Sequence, residues 1–317
     1  MLDSGGKAMQ TAVSNTTIPM PPRRRTKEVM AFLQASPFLL PALLLFTVFF
    51  FYPIVKVVYL SLYLTNSKGV AKHFVGMQQY VELFTSPDFI QSLRVTLEFV
   101  LLTVIPGVFI ALLLALLLEK QIRGLSVFQT IIFSPISMSV AAVSTIGLMA
   151  FNPSVSLLNW ILSKLFGIPN INWLNGSWTA LLAISIVTIW MNLGFSTIVL
   201  LGALRNVSQE LYDSARVDGA NYLQRLCYIT IPSISPTLFF VFVVSMIGSF
   251  QTFGQVNILT QGGPAGSTNL VVYSIYRNAF FNFQYGLASA QAVVLFIIVL
   301  VLTLLQFLVV ERRVHYS

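Results

Sequence analysis

Six apolar runs, each long enough to cross a lipid bilayer, constrain this 317-residue chain more than any other feature. A helix needs about 20 mainly apolar residues to span the hydrocarbon core of a membrane. The runs lack the short alternating pattern of strands in a membrane barrel, so we predict an all-α integral membrane protein with six transmembrane helices. The predicted spans run from Met30 to Tyr52, Leu93 to Leu118, Val127 to Phe151, Trp178 to Leu204, Ser233 to Leu259 and Tyr285 to Val310.

The composition supports a membrane protein and excludes several other classes. Charged residues make up only 9% of the chain, against about 25% in a soluble domain, so they cannot cover a water-facing surface. The formal net charge of +8 points to membrane orientation rather than to nucleic acid, because basic residues collect in the loops on one side. The single cysteine, Cys227, excludes an intramolecular disulfide, and two distant histidines, His73 and His315, argue against a metal site.

Lysine and arginine also predict the orientation of the chain. With the N-terminus in the cytoplasm, only six of the 18 Lys and Arg residues lie outside, which satisfies the positive-inside rule and makes both termini cytoplasmic. Residues 1–28 carry polar residues and a basic run with little to bury, so we predict a disordered cytoplasmic tail, followed by a six-helix domain over residues 29–317. The first apolar run is too long for the core of a cleavable signal peptide. The six outside residues are Lys56, Lys68, Lys72, Arg94, Lys164 and Arg277.

A polar segment separates the fourth and fifth apolar runs. The stretch "SARVDGANYLQRLCYITIP" (Ser214 to Pro232) lies in a predicted cytoplasmic loop over residues 205–232. Its first part predicts a short helix. Asn206 or Ser208 can cap the start of that helix by accepting a backbone hydrogen bond. Gly219 can adopt the left-handed conformation that ends it.

The second part of the loop predicts another short helix. It runs from about Ala220 to Ile231, and we expect Pro232 to stop it near the membrane surface. Small side chains such as Ser214 and Ala215 let the surface of another protein approach the backbone closely. The residues alone leave two interpretations open, a solvated connector between spans or a docking surface.

The same loop resembles the coupling loop of the membrane subunits of binding-protein-dependent ABC importers. That family's pattern is roughly E-A-A-x-x-D-G-A, followed later by I-x-L-P. This chain has the D-G-A core and the closing proline, while Asp213 replaces the leading Glu and shortens its reach by one methylene. The resemblance implies that the loop fits a cleft on a separate ATP-hydrolysing subunit. The residues assigned to this role are Glu210, Asp213, Ser214, Ala215, Asp218, Gly219, Ala220 and Pro232.

Further stretches, in chain order, resemble the carbohydrate-uptake permeases of this family. Gln129 stands where those permeases usually have Arg, and Ser156 where they usually have Gly. The resemblance covers nearly the whole chain and implies the type I ABC importer permease fold in a bacterial or archaeal cytoplasmic membrane. The stretches are "FVGMQQY" from Phe74, "RGLSVFQTIIFSP" from Arg123, "FNPSVSLLN" from Phe151, "IWMNLGF" from Ile189, "FQTFGQVNILTQGGP" from Phe250 and the ending "VERRVHY".

The resemblance also implies which partners and cofactors the chain needs. The sequence has no G-x-x-x-x-G-K-[ST] phosphate loop, and "GPAGSTN" (Gly263 to Asn269) lacks the required lysine. We therefore expect no enzyme activity and no cofactor on this chain, with ATP and Mg²⁺ bound by two partner ATP-binding subunits. The expected assembly adds a second homologous permease and an external substrate-binding protein that delivers a sugar or oligosaccharide.

Polar and aromatic side chains within the fourth and fifth spans are candidates for the substrate path, because polar groups inside a membrane usually face the bundle interior. Helix–helix packing is their alternative role. Neither span contains Lys or Arg, which favours a neutral sugar over an anionic phosphate and leaves glycerol-3-phosphate as the second candidate substrate. The candidate residues are Trp190, Asn192, Ser196, Ser249, Phe250, Gln251, Thr252, Phe253 and Gln255.

Two other classes of protein fit the sequence less well than an importer subunit does. An ion-coupled secondary transporter usually places ionisable residues at mid-membrane, whereas the only acid inside a predicted span is Glu98, near one end of the second. A membrane-embedded enzyme would need a nucleophile and base or a metal cluster within reach of each other, and the sequence shows no evident set.

Overall fold

The computed structural model describes residues 39–119, 125–152 and 156–310. The predicted tail over residues 1–28, and all of the ending "VERRVHY" after its first residue, lie outside the described residues. Within the described part, five helices are long and apolar enough to cross a membrane, and a bent helix pair makes six if it crosses as one span. The chain divides into two units, with the boundary between Val55 and Lys56.

The described part of the first unit lies in one helix. Helix α1 covers Leu39–Leu60, so the first unit ends inside it. No residue from 39 to 55 is buried, although nearly all are apolar, and Phe49 for example is 69% exposed. A helix that is apolar all round requires lipid or a partner helix around it. Its middle contains a π-helical turn, Thr47–Phe51.

The second unit contains a β-hairpin and the remaining described helices. We number its elements in chain order. They are β1 Tyr63–Thr65, β2 Ala71–Phe74, α2 Gln78–Thr85, α3 Pro87–Glu119, α4 Leu125–Phe133, α5 Val140–Ala150, α6 Leu157–Phe166, α7 Ser177–Arg205, α8 Gln209–Val217, α9 Tyr222–Phe250, α10 Gly254–Leu259, α11 Val271–Phe280 and α12 Tyr285–Val310.

Helices α3 and α7 form the centre of this unit. Toward their first residues, Phe99 of α3 and Ile184 of α7 are fully buried in one apolar cluster. Toward their last residues, Ala111 and Ala115 of α3 share a second cluster with Leu200 of α7. Small side chains at a helix interface let two backbones approach closely, which is the usual way membrane helices pack.

The two ends of this helix pair face opposite sides of a membrane. Pro87 and Ser177, near the starts of α3 and α7, line one surface cavity. Glu119, at the end of α3, lines another cavity together with Gln209 and Tyr212 of α8. The 33 residues of α3 extend about 50 Å at about 1.5 Å per residue. Helix α8 therefore lies on the membrane side opposite to the cavity at Pro87.

The β-hairpin is a feature that the analysis of apolar runs did not predict. Strands β1 and β2 pair antiparallel, with Tyr63 opposite Phe74. Gln79 holds the hairpin to α2, because its Nε2 donates to the carbonyl of Tyr63 at 3.0 Å. The backbone N–H of Gly286 donates to the hydroxyl of Thr65 at 3.1 Å and joins the hairpin to α12.

The third predicted span is not one continuous helix. The segment Ser126–Ser137 and helix α5 meet at an angle of 114°. Pro135 lies in a 3₁₀ turn after α4, where its missing N–H and its ring oppose continuation of the α-helix. Ser139 then caps α5, since its hydroxyl accepts from the N–H of Ala142 at 3.2 Å and starts a new helix direction.

The expected stop at Pro232 is wrong, because α9 continues through it from Tyr222 to Phe250. A π turn over Leu226–Thr230 precedes the proline, and the wider turn leaves room for a ring that would otherwise meet the carbonyl four residues earlier.

The predicted end of the fifth span at Leu259 is also wrong. Helix α9 ends at Phe250, and α10 is a separate short helix from Gly254 to Leu259. A Cβ at Gly254 would lie 2.6 Å from Cγ1 of Val140. The glycine is therefore needed for the close approach of α10 to α5.

Candidate functional site

Local interactions shape helix α8, the first half of the predicted coupling loop. The hydroxyl of Ser208 caps its start and accepts from the N–H of Glu210 at 3.3 Å. Glu210 lies in the first turn, where the helix dipole favours a negative charge. Asp213 pairs with Arg216 at 2.9 Å and accepts from Nε2 of Gln209 at 3.2 Å. Of the two caps considered from the sequence, the structure uses Ser208.

A tight turn joins α8 to α9. Gly219 has a φ of +78°, as predicted for the residue that ends the first helix. The N–H of Ala220 donates to the carbonyl of Ala215 at 2.9 Å and closes the turn. Asn221 and Gln224 then start α9 with a reciprocal capping box. A Cβ at position 219 would meet no atom within 4 Å, so the space outside this turn is open.

The loop exposes its predicted contact residues and also apolar side chains. Asp213, Ser214, Asp218 and Gly219 are exposed, while Ala215, Ala220 and Pro232 are half-buried. Val217 is 88% exposed at the end of α8. The exposed apolar side chains of the segment are Leu211, Val217, Tyr222, Leu223 and Tyr228.

A partly buried hydrogen bond connects α8 to α9. The phenol of Tyr212 and the hydroxyl of Thr230 lie 2.9 Å apart. Thr230 is 4% exposed and lies in the π turn of α9. This hydrogen bond ties the orientation of the Tyr212 side chain on α8 to the π turn of α9.

A cleft of about 130 Å³ lies between α3, α7 and α9. Three of the nine predicted path residues, Asn192, Ser196 and Ser249, line it together. Gly107 of α3 and Gly248 of α9 contribute lining without a side chain. Among the described residues that line this cleft, none is charged.

Three hydroxyl residues of the cleft were not predicted from the sequence. Ser245 lies one helical turn before Ser249 on α9. Thr103 and Thr188 are 5% and 2% exposed, and their hydroxyls form no hydrogen bond within the described part of the chain. On α7, Thr188 precedes Asn192 and Ser196 at spacings of four, which places them on one helix face. This periodic row of polar residues was the signal that could have revealed Thr188.

The six other predicted path residues lie outside this cleft. Trp190 packs at the edge of an apolar cluster, and Phe250 is buried in another with Val104 and Met246. The buried amide of Gln255 approaches the sulfur of Met191 at 3.7 Å.

The rest of the six lie at or after the break between α9 and α10. Gln251 is exposed there, and the hydroxyl of Thr252 donates to the carbonyl of Gly248 at 3.3 Å. Phe253 contacts Tyr276 and Tyr273, at ring-centroid distances of 4.8 and 6.2 Å. Burial raises the pKa of Tyr273, against the opposing effect of nearby Arg277.

Comparisons with known proteins agree on one family. The family model described as "Binding-protein-dependent transport system inner membrane component" matches residues 94–316. The chain is 32% identical to the sn-glycerol-3-phosphate transport system permease protein of Agrobacterium fabrum, over 89% of this chain and 96% of that protein. It is 34% identical to the "Probable ABC transporter permease protein YurN" of Bacillus subtilis, over 85% of this chain and 93% of that protein.

A solved structure shares the fold. The chain matches one chain of a bacterial ABC transporter involved in the import of the acidic polysaccharide alginate with a TM-score of 0.78 and 25% identity. The match covers 91% of this chain and 99% of that chain.

These matches confirm the predicted resemblance and the all-helical type I permease fold. They also make the chain a transport subunit in a multi-pass membrane location, with ATP hydrolysis elsewhere in the system. The chain belongs to the inner membrane components of binding-protein-dependent transport systems, the permease subunits of ABC importers.

Proposed function

We propose that this chain forms one half of the path by which an ABC importer moves a neutral sugar or oligosaccharide across the cytoplasmic membrane of a bacterium or archaeon. The observation that carries this proposal is the uncharged cleft between α3, α7 and α9, whose lining includes five hydroxyl residues beside apolar ones. A second, homologous permease supplies the other half of the path, and an external substrate-binding protein delivers the solute.

The chemistry of the cleft favours a neutral, hydroxyl-rich solute. The buried hydroxyls of Thr103 and Thr188 form no hydrogen bond within the described residues, and buried polar groups normally have partners. Sugar hydroxyls supply both donors and acceptors to such groups. A phosphate in the same place would need a cation or a charged donor, and the described lining has neither.

Glycerol-3-phosphate is the second candidate substrate. The relative from Agrobacterium fabrum is named for its transport, and the solved neighbour belongs to an importer of an acidic polysaccharide. A second permease that carries cations on its half of the path would make an anionic solute acceptable. A neutral sugar needs no charged group on the path. Glycerol-3-phosphate needs cations, which the second permease would have to supply.

The coupling loop carries the driving motion in this proposal. Two partner ATP-binding subunits bind ATP and Mg²⁺, this chain binds no cofactor, and the partners dock on α8. The hydrogen bond between Tyr212 and Thr230 transfers movement of α8 to α9. Ser249 lies about 29 Å farther along that same helix, at about 1.5 Å per residue. Closure of the ATP-binding subunits thereby moves one wall of the cleft.

This arrangement also fixes the expected orientation. Helix α8 and both termini lie in the cytoplasm, and the ends of α3 and α7 at Pro87 and Ser177 face the binding protein outside. The apolar surface of α1 faces lipid and the second permease. Labelling of single cysteines introduced at Ser208 and Ser177 with a membrane-impermeant thiol reagent tests this orientation, with Cys227 replaced by Ser.

The decisive experiment reconstitutes the whole importer, with its external binding protein, in vesicles that contain ATP. The vesicles receive a mixture of neutral mono- to tetrasaccharides, an acidic oligosaccharide and sn-glycerol-3-phosphate, and mass spectrometry identifies what accumulates inside. We expect ATP-dependent accumulation of a neutral sugar. Accumulation of sn-glycerol-3-phosphate alone would establish the second candidate. Uptake that continues without ATP and stops when ion gradients collapse would contradict both.

A further inference from the structure

A second polar cavity lies on the membrane side opposite to α8. It occupies about 440 Å³, within the range of about 300–1,000 Å³ that is typical of small-molecule sites. The end of α2, the start of α3, the segment 265–269, α11 and the start of α12 surround it. Gln91, at its edge, lies 12 residues before Thr103 of the translocation cleft on the same helix. That spacing corresponds to about 18 Å, so this outer cavity is a separate site.

Side-chain amides in a connected row form the buried floor of the outer cavity. Gln291 is 2% exposed, and its Nε2 donates to the hydroxyl oxygen of Ser274 at 3.2 Å. Asn278 donates from Nδ2 to Oε1 of Gln291 at 3.0 Å. Asn282 donates from Nδ2 to Oδ1 of Asn278 at 2.9 Å and extends the row to the rim. Each amide is thereby fixed in orientation, as a specific polar site requires.

Further polar groups outside this row line the same space. Oδ1 of Asn269 is buried and accepts no hydrogen bond within the described residues. Glu82, Asp88 and Arg277 all line the cavity, yet none of them forms an ion pair within 4.0 Å among the described residues. A cavity with unused acceptors and donors on several walls suits a solute that carries many hydroxyl groups.

The apolar and charged side chains of the cavity limit which class of solute can bind. Leu83 and Phe89, each 2% exposed, close the base of the cavity with apolar packing. Two carboxylates and one guanidinium leave an excess of negative charge around the cavity. Such a field repels phosphates and acidic sugars.

The segment between α10 and α11 holds one wall of the cavity rigidly. Nε2 of Gln91 donates to the carbonyl of Ala265 at 3.3 Å. Gly266 has a φ of +75°, and a Cβ there would lie 3.3 Å from Nε2 of Gln91. The hydroxyl of Thr268, which is fully buried, donates to the carbonyl of Gly263 at 2.7 Å. The wall is therefore formed before any ligand arrives.

We propose that the outer cavity is a binding site for a neutral carbohydrate unit, distinct from the translocation cleft. This proposal rests on the proposed function only for the choice of a carbohydrate. The site gives the permease its own contact with a sugar, outside the membrane and independent of the external binding protein.

The test uses the complete membrane assembly, purified with its partner subunits in lipid nanodiscs and without the binding protein. The probe is an array of immobilised neutral and acidic mono- to tetrasaccharides. We expect retention on at least one neutral sugar and none on acidic ones. Arg277→Gln and Asn278→Leu should each weaken that retention by about tenfold, the effect of losing about one buried or charged hydrogen bond. Lys164→Gln, an exposed change on α6 that lies outside the cavity lining, should retain wild-type binding.

Two results would overturn the proposal. One is an array on which the assembly retains no neutral sugar. The other is retention that Arg277→Gln and Asn278→Leu leave unchanged, with monodisperse gel filtration showing that both variants assemble. If these variants weaken only the association with the external binding protein, the cavity is a protein contact and the proposal is again wrong. Asn192→Leu separates this site from the proposed function, because it should abolish uptake while leaving retention on the array intact.

Discussion

The proposed coupling loop and the proposed translocation cleft are built in contrasting ways. The loop is one short stretch of chain, and its shape depends on near neighbours such as Ser208, Gly219 and Asn221. The cleft combines side chains from three helices, from Thr103 on α3 to Ser249 on α9. Loop residues are mostly exposed, whereas four of the five cleft hydroxyls are buried. A substitution in the loop should therefore act on partners and turn geometry, and a substitution in the cleft on the solute.

Replacing Gly219 with Val should produce the largest effect. A β-branched residue at a φ of +78° is strained by roughly 1–2 kcal/mol, and its side chain projects into the open space where a partner would dock. We expect ATP-dependent uptake to fall more than about thirtyfold, because this strain alone corresponds to about five- to thirtyfold and the side chain also obstructs docking. The measurement is uptake by reconstituted importer, with assembly followed by gel filtration.

Gly202→Ala is the matched control for that substitution. Gly202 lies in α7 with open space around it and without a positive φ, so a methyl group there meets nothing and favours the helix. If the Gly219→Val importer assembles with its ATP-binding subunits and still takes up solute normally, the turn has no docking role.

In the cleft, the double change Thr103→Val and Thr188→Val should separate stability from transport. Valine has the shape of threonine without the hydroxyl, and removing a buried hydroxyl that lacks a partner is neutral or stabilising by up to about 1 kcal/mol per site. Uptake should nevertheless fall about tenfold, since the solute loses its hydrogen bonds. Thermal unfolding of the purified assembly and uptake are measured side by side.

A third buried hydroxyl provides the comparison for this pair. Ser144 in α5 is fully buried and its Oγ has no partner among the described residues, but it lies outside the cleft. Ser144→Ala should leave stability equal or raised and uptake unchanged. If the double valine variant also transports normally, the cleft hydroxyls do not contact the solute.

This contrast explains what the sequence could and could not predict. The helix class, the ends of α8 and the left-handed Gly219 follow from local rules, since caps and turns depend on residues a few positions apart. The break after Pro135 and the continuation of α9 through Pro232 depend on which turn type follows or precedes each proline. The cleft required knowledge of which helix faces meet, so only Asn192, Ser196 and Ser249 of the nine candidates were brought together in it.

Tyr212→Phe tests the connection between the two regions. The change removes only the hydrogen bond to Thr230 at 2.9 Å, which stabilises the junction by about 1 kcal/mol. We expect ATP hydrolysis to continue while the amount of solute moved per ATP falls about fivefold. Thr230→Val removes the same bond from the other side, together with the 3.3 Å bond that the Thr230 hydroxyl donates to the carbonyl of Arg225. The double variant should therefore be no worse than Thr230→Val alone. Additive losses would show that the two side chains act separately.

Asp213→Glu should have the smallest effect, and its direction tests how the loop meets its partner. Asp213 and Arg216 form an ion pair with both side chains 59% exposed, and such pairs stabilise a protein by well under about 1 kcal/mol. Glutamate keeps the charge and restores the reach that the permease family usually has at this position, so uptake should change by no more than about twofold. Asp213→Asn removes the charge at nearly constant size and is compared at low and high salt. If the asparagine variant matches wild type at both salt concentrations while the glutamate variant gains uptake, reach rather than charge governs the contact. If both variants lose uptake equally, the contact with the partner subunit requires both the charge and the length of aspartate. The glutamate that is usual in the family then does not predict that contact.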